Sequence, residues 1–328
     1  FNKDWQFAFD NDLDAYNHYG LYGVHRSMGA MEWRRCFNDW KKVDLPHDWA
    51  IGLPKDLRGN TYSGTRAQTH YNRYTTEHNC MMEEVYSIGW YRKEFPWQAE
   101  WAGKRVFLEF EGVYRNADFW VNGVYMCNHA SGYTSFLFEI TDFLYENDVN
   151  SVAVRVDAEQ AEGWWYEGAG IYRNVNMYIA EPVYFKPRET VVRADISGKV
   201  YAQALLVNDT AESVTTPVKW SVLDKQGNTV ATFESAATVP AFNQASLCAE
   251  LHAENPKLWN LDEPNLYTLR VEAVDAEEVT FGFRSLEFRG DTGFWLNGKN
   301  IKVWGACCHQ DHGGVGVAVP DNLMRYRI

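Results

Sequence analysis

The sequence predicts a mainly β protein: two β-sandwiches in series, followed by the opening strand and helix of a further domain. Three observations carry this. Short aromatic and β-branched runs, such as residues 90–95, 105–110 and 151–156, recur between Gly, Asn and Asp turns. The pattern breaks at Pro182 and Pro187, then resumes as a second set of short strands. Near the C-terminal end, an Asn-Gly hairpin runs into a dense polar cluster and then a helix start.

Residues 1–183 form the first expected domain, and the regular strand spacing favours a sandwich. Its clearest unit is the stretch 117–126, where alternating faces flank Asn122-Gly123, a pair that tolerates the positive φ of a type I′ turn. Between residues 51 and 87 the periodicity fails. That polar, aromatic stretch is too long for an ordinary connection and reads either as a functional lid or as a mobile insertion. Further on, Trp164, Trp165 and Tyr166 follow one another, and three successive aromatics cannot all face one side of a strand. They suit either a domain interface or a platform that stacks on sugar rings.

Residues 184–284 hold about seven short strands in roughly 100 residues, the dimensions of an immunoglobulin-like sandwich. Trp220 and the lone Cys248 cannot supply a Cys…Trp…Cys core, so a disulfide-free version is expected. Residues 285–328 make the last expected unit. Its hairpin pairs residues 294–296 with 301–304 around Asn297-Gly298. Directly after come Cys307, Cys308, His309, Gln310, Asp311 and His312. Protonatable groups at the C-terminal end of a strand are what an α/β barrel offers to a substrate, whereas a solvated loop with a capping Asp is the plainer alternative. Pro320-Asp321 then opens a helix. One strand and one helix cannot bury their own apolar faces, so this reads as the first βα unit of a truncated barrel.

Composition narrows the function. Of 328 residues 46% are hydrophobic and 16% aromatic, ample for packed cores, and disorder is excluded as the dominant state. A formal net charge of −13 without a basic stripe argues against nucleic acid. Apolar runs are of strand length, which predicts no transmembrane helix. The six cysteines lack C-x-x-C spacing, so free thiols are the default. Cys307, Cys308, His309, Asp311 and His312 have ligand types suited to zinc, but adjacent ligands strain tetrahedral chelation, and no metal site is expected. The chain opens on Phe1-Asn2-Lys3 without a Met, which leaves localisation open between the cytoplasm and export with a leader removed.

Several short motifs, taken together and in order, resemble the N-terminal part of glycoside hydrolase family 2, the family of β-galactosidases, β-glucuronidases and β-mannosidases. They are Leu45-Pro46-His47-Asp48-Trp49, Gly89-Trp90-Tyr91-Arg92-Lys93, Trp120-Val121-Asn122-Gly123 followed by His129-Ala130-Ser131-Gly132-Tyr133, Gly170-Ile171-Tyr172-Arg173, Phe281-Gly282-Phe283-Arg284, and Phe294 to Lys299 leading to His309. The resemblance implies a jelly-roll sugar-binding domain, an immunoglobulin-like domain and the first strand of a (β/α)₈ barrel. It also implies a retaining exo-β-glycosidase, most like a β-galactosidase, in which two glutamates roughly 5 Å apart act on the glycosidic bond. Those glutamates would lie beyond residue 328, so the chain alone is expected to be inactive. His309 matches the family histidine that meets the glycone, and Asp311 is a candidate to fix its other nitrogen. Gln310 and Asp311 replace a Glu-rich segment, and Trp164, beside Trp165, stands where several members place an Asp. The expected substrate-binding set is therefore His309, Gln310, Asp311, Trp164 and Trp165. No cofactor is evident, although the resemblance leaves room for a divalent or monovalent cation in a longer enzyme. The expected partner is an oligosaccharide or β-glycoside, with no nucleic acid and no membrane, and homo-oligomerisation stays open. The alternatives are β-glucuronidase or β-mannosidase specificity, or a non-catalytic carbohydrate-binding module, against which the half-built βα unit argues.

Overall fold

The computed structural model describes residues 1–9, 40–51, 88–158 and 166–328. Most of the stretch 51–87, together with Trp164, Trp165, Cys36 and Cys80, lies outside the described residues. The described chain divides into two compact units, Phe1–Ile179 with Cys307–Ile328, and Ala180–Ala306.

The first unit is built on two sheets. The larger has the order β2-β1-β3-β8-β5-β6, comprising β1 (Trp5–Phe9), β2 (Lys41–Val43), β3 (Ile88–Pro96), β5 (Ala117–Val121), β6 (Val124–His129) and β8 (Val149–Asp157). Every pairing in it is antiparallel. The smaller has the order β7-β4-β9, with β4 (Arg105–Phe110), β7 (Phe136–Glu139) and β9 (Val175–Ala180). Trp5, Tyr91, Phe119 and Val154 of the larger sheet share one buried cluster with Leu108, Phe110 and Val175 of the smaller, so the two sheets pack face to face as a sandwich. Alternation along each strand explains the sorting: Phe119 and Val121 enter this core, while Trp120 between them joins Trp90, Ala8 and Ala153 on the opposite face. Each buried aromatic contributes on the order of 1.5–3 kcal/mol. The β5–β6 turn is the expected Asn-Gly pair, with φ of 47° at Asn122 and 84° at Gly123.

The second unit contains β10 (Val183–Phe185), β11 (Val191–Ala194), β12 (Lys199–Asn208), β13 (Val214–Leu223), β14 (Thr229–Val239), β15 (Asn243–His252), β16 (Tyr267–Glu272) and β17 (Ala276–Phe281). β10 and β11 pair in succession with β12, which also pairs with β15, and a second sheet has the order β14-β13-β16-β17. Val200, Ala202, Ala204 and Leu206, every second residue of β12, meet Trp220, Leu269 and Val271 of the facing sheet in one core. Cys248 is exposed and free, and among the described residues Cys127, Cys307 and Cys308 are free as well.

A small third sheet, β18 (Leu286–Arg289), β19 (Gly293–Leu296) and β20 (Lys299–Asn300), completes this unit. Here the structure corrects one expectation. The Asn297-Gly298 turn forms, with φ of 50° and 75°, but the second arm stops at Asn300, and residues 301–304 are not a strand. Val303 is 71% and Trp304 82% exposed. β-propensity measures fit to a pleated, half-buried surface, and no strand among the described residues offers these side chains one. The first barrel strand is therefore not formed here. The helix is: α1 spans Asp321–Arg327, and the N–H groups of Leu323 and Met324 donate to the Pro320 carbonyl.

Candidate functional site

Within the first unit three loops meet: the one after β2, the one entering β9, and the segment 312–318. Their meeting point is Asp48, which is only 6% exposed. Its Oδ1 accepts from the N–H groups of Ala50 (3.0 Å) and Ala169 (3.1 Å). Its Oδ2 accepts from the Tyr166 hydroxyl (2.8 Å) and the Val317 N–H (3.0 Å). Burial is the largest effect and leaves the carboxyl raised above its ordinary range, with these hydrogen bonds opposing it. All four partners donate to the carboxyl oxygens, so both oxygens are fully engaged as acceptors.

The backbone around this knot is equally constrained. His47 N–H donates to the Ile171 carbonyl, Trp49 N–H to Ala169, and Tyr114 and Gly170 exchange a pair of hydrogen bonds. His47 Nδ1 lies 2.7 Å from the Tyr91 hydroxyl, and burial holds its imidazole down at about 4, so it is neutral. Glycine is required at Gly168, Gly170 and Gly316, each at positive φ and without room for a Cβ. A Cβ on Gly316, at φ +58°, would come within 2.1 Å of Asp48 Oδ2, and one on Gly168, at φ +67°, within 2.3 Å of Val317 Cγ2.

This knot walls a cavity of about 340 Å³. Tyr133, Tyr166, Glu167 and Tyr172 line it from the sandwich loops, and Cys308, His309, Gln310 and Val317 from the C-terminal segment. The Tyr172 hydroxyl donates to the Gly132 carbonyl at 2.7 Å, which fixes that ring, and Tyr133 packs edge-on to the buried Tyr114 with centroids 5.5 Å apart. Glu167 is 2% exposed. Burial lifts the Tyr114 hydroxyl far above the usual phenol range, with the charge of Glu167 as the next cause, so Tyr114 is a neutral phenol. Gln310, in the left-handed region at φ +67°, accepts at Oε1 from Arg173 Nη2 at 3.0 Å. Chemically the cavity offers aromatic faces, a fixed carboxylate, an imidazole and an amide, the mixed inventory of a polyol site. No Lys or Arg lines it among the described residues. Among the described residues there is also no group of three or more His, Cys, Asp or Glu arranged to hold a metal ion.

Of the residues singled out from sequence, His309 and Gln310 are brought together on this cavity. Asp311 is not among its lining residues; it is half-buried, and its carbonyl accepts from Arg327 Nη1 at 3.0 Å. Trp164 and Trp165 fall outside the described residues, although Tyr166 and Glu167, which follow directly, line the wall. Sequence reasoning missed Asp48, Tyr133 and Glu167 as site-building residues. Asp48 and Tyr133 stand in the motifs 45–49 and 129–133, and Glu167 between an aromatic run and Gly168, but none of these patterns by itself names a role.

Comparison with known proteins bears on the same residues. The model for "Glycosyl hydrolases family 2, sugar binding domain" matches residues 1–182, and that for "Glycosyl hydrolases family 2" matches residues 183–284. The chain is 34% identical over 332 residues to "Beta-galactosidase BoGH2A" of Bacteroides ovatus, covering 97% of this chain and 35% of that protein. It is 30% identical over 302 residues to a "Putative beta-glucuronidase" of Formosa agariphila, covering 89% of this chain and 27% of that protein. A solved family 2 member from Bacteroides cellulosilyticus superimposes with a TM-score of 0.78 at 28% identity, over 100% of this chain and 40% of that one. The chain thus spans about a third of the length of the curated relatives it matches. With the two family models covering both sandwiches from end to end, this chain belongs to glycosyl hydrolase family 2.

Proposed function

We propose that this chain is the N-terminal part of a retaining exo-β-glycosidase, β-galactosidase-like in specificity, and that the cavity beside His309 contributes to its glycone site. The observation that carries this reading is the joint lining of one cavity by His309, Gln310, Glu167 and three tyrosines. Imidazole and amide groups suit hydroxyls, and flat rings suit the C–H faces of a pyranose. Family membership supplies the reaction class, in which one carboxylic acid protonates the leaving oxygen and a carboxylate attacks the anomeric carbon. No glutamate of this chain takes either role in this reading. Those two carboxyls come from sequence outside these 328 residues, and the chain alone does not hydrolyse glycosides. The relatives include proteins named for galactosides and for glucuronides, and among the described residues no Lys or Arg lines the cavity, which favours the neutral sugar.

The test uses the full-length protein with nitrophenyl β-galactoside, β-glucuronide and β-mannoside, following the first-formed sugar by proton NMR. Turnover of the galactoside with the β-anomer appearing first is expected. Absence of turnover on all three, or first release of the α-anomer, contradicts the reading.

A further inference from the structure

We infer that Arg173 is a positioning residue for the glycone site: it holds the side-chain amide of Gln310 so that the nitrogen, a hydrogen-bond donor, is the end presented to the sugar. The inference rests on the glycosidase reading above and adds the residue that fixes the amide and the polarity it imposes.

Gln310 lines the cavity next to His309, and it also lines a second cavity of about 440 Å³ whose wall includes Arg173, Glu111 and Asn174. The two cavities share Tyr172, Gln310 and Val317, so the glutamine stands between them. A free glutamine can offer a hydroxyl either end of its amide, because the terminal torsion is broad and roughly two-fold. Arg173 removes that choice. A guanidinium only donates, so the atom it meets, 3.0 Å from Nη2, is the amide oxygen Oε1. The nitrogen, on the other arm of the amide, is then the end left for a ligand.

Both members of the pair are held. The Arg173 guanidinium lies 5.4 Å from the Tyr172 ring centroid, and the Tyr172 hydroxyl is itself fixed on the Gly132 carbonyl at 2.7 Å. Directly after Arg173, the Asn174 carbonyl accepts from the Glu111 N–H at 3.0 Å. Gln310 sits at φ +67°, a conformation that is costly for a residue with a Cβ and persists where surrounding contacts hold it. A charge-assisted hydrogen bond from Arg173 is such a contact.

The experiment is a double-mutant cycle on the full-length enzyme with nitrophenyl β-galactoside, comparing Arg173→Met, Gln310→Ala and both together, with Tm measured on each. Each single substitution should lower kcat/KM about tenfold, and the double should lose no more than Gln310→Ala alone, because Arg173 acts through that amide. Gln310→Glu keeps the bond to Arg173 but exchanges the N–H donors for an oxygen, and should be impaired about as much as Gln310→Ala. Losses that multiply in the double variant overturn the inference while leaving the glycosidase reading intact, as does unchanged kcat/KM in Gln310→Ala or in Gln310→Glu. An Arg173→Met protein that fails to fold, or loses Tm while keeping its kcat/KM, makes Arg173 a structural residue and overturns the inference as well. No turnover of any β-glycoside by wild type removes the glycosidase reading and this inference with it.

Discussion

The loop around Asp48 and the segment 301–304 are alike in sequence, short and aromatic, but Trp49 is 3% exposed and Trp304 82%. What differs is the fate of the backbone. In the first region the N–H groups of His47, Trp49 and Ala50 all find acceptors, two of them carbonyls more than 100 residues away in sequence, at Ile171 and Ala169. In the second, Ile301 donates to Phe294, and from Lys302 to Trp304 no ladder forms. An apolar side chain can be buried only where the polar chain that carries it is satisfied as well. The carboxylate of Asp48 supplies that satisfaction for three loops at once; residues 301–304 have no counterpart.

The largest effect should come from removing that carboxylate. Asp48→Ala strips the acceptor from four donors, three of them backbone N–H groups, and should destabilise the first unit by about 3–5 kcal/mol in urea unfolding. A loss below about 1 kcal/mol would mean that the donors find water readily and that the knot is not a stabilising centre.

Next comes His47. Its folded value of about 4 lies below the 6.5 of an exposed imidazole, so the unfolded chain takes up a proton first as the pH falls. The stability this gives is complete above pH 6.5 and is lost progressively towards pH 4, about 3 kcal/mol in total. His47→Gln removes the titration. The stability gap between wild type and variant should therefore close as pH drops from 7 to 4.5; a gap constant across that range would show that His47 is accessible to protons in the folded state.

At the small end, Trp304→Ser should change stability by no more than about 0.5 kcal/mol, because little is buried and the Lys302 ammonium, 4.5 Å from the ring centroid, adds only an exposed cation–π contact. A loss above about 2 kcal/mol would place Trp304 in a packed environment and erase the contrast with Trp49.

Much of the fold was legible because its signals are local. Asn122-Gly123 and Asn297-Gly298 dictate their turns through positive φ. The alternation from Lys199 to Asn208 dictates which side of β12 is buried. The Pro320-Asp321 helix start was readable for the same reason. What failed was the arm 301–304, whose β-prone residues gave no information about whether a neighbouring strand would be present. The site was legible in part. His309 and Gln310 were visible as an unusual polar cluster, whereas Asp48 and Glu167 act through contacts set by the fold. The bond from Val317 to Asp48 joins residues 269 positions apart, and no local pattern announces it. Glu167 looks like any loop acid until the fold buries it to 2% exposure beside the cavity.

The most direct test of the account is one substitution with two readouts, His309→Ala in the full-length enzyme. His309 is exposed and lines the cavity rather than packing in a core; in the proposed reading its ring meets the glycone, and contacts to glycone hydroxyls strengthen as the sugar flattens towards the oxocarbenium-like transition state. The account predicts a fall in kcat/KM of roughly 100-fold, about 3 kcal/mol, with Tm essentially unchanged. A clear drop in Tm with near-normal kcat/KM would contradict it, making His309 a structural residue and removing the cavity's claim to the glycone.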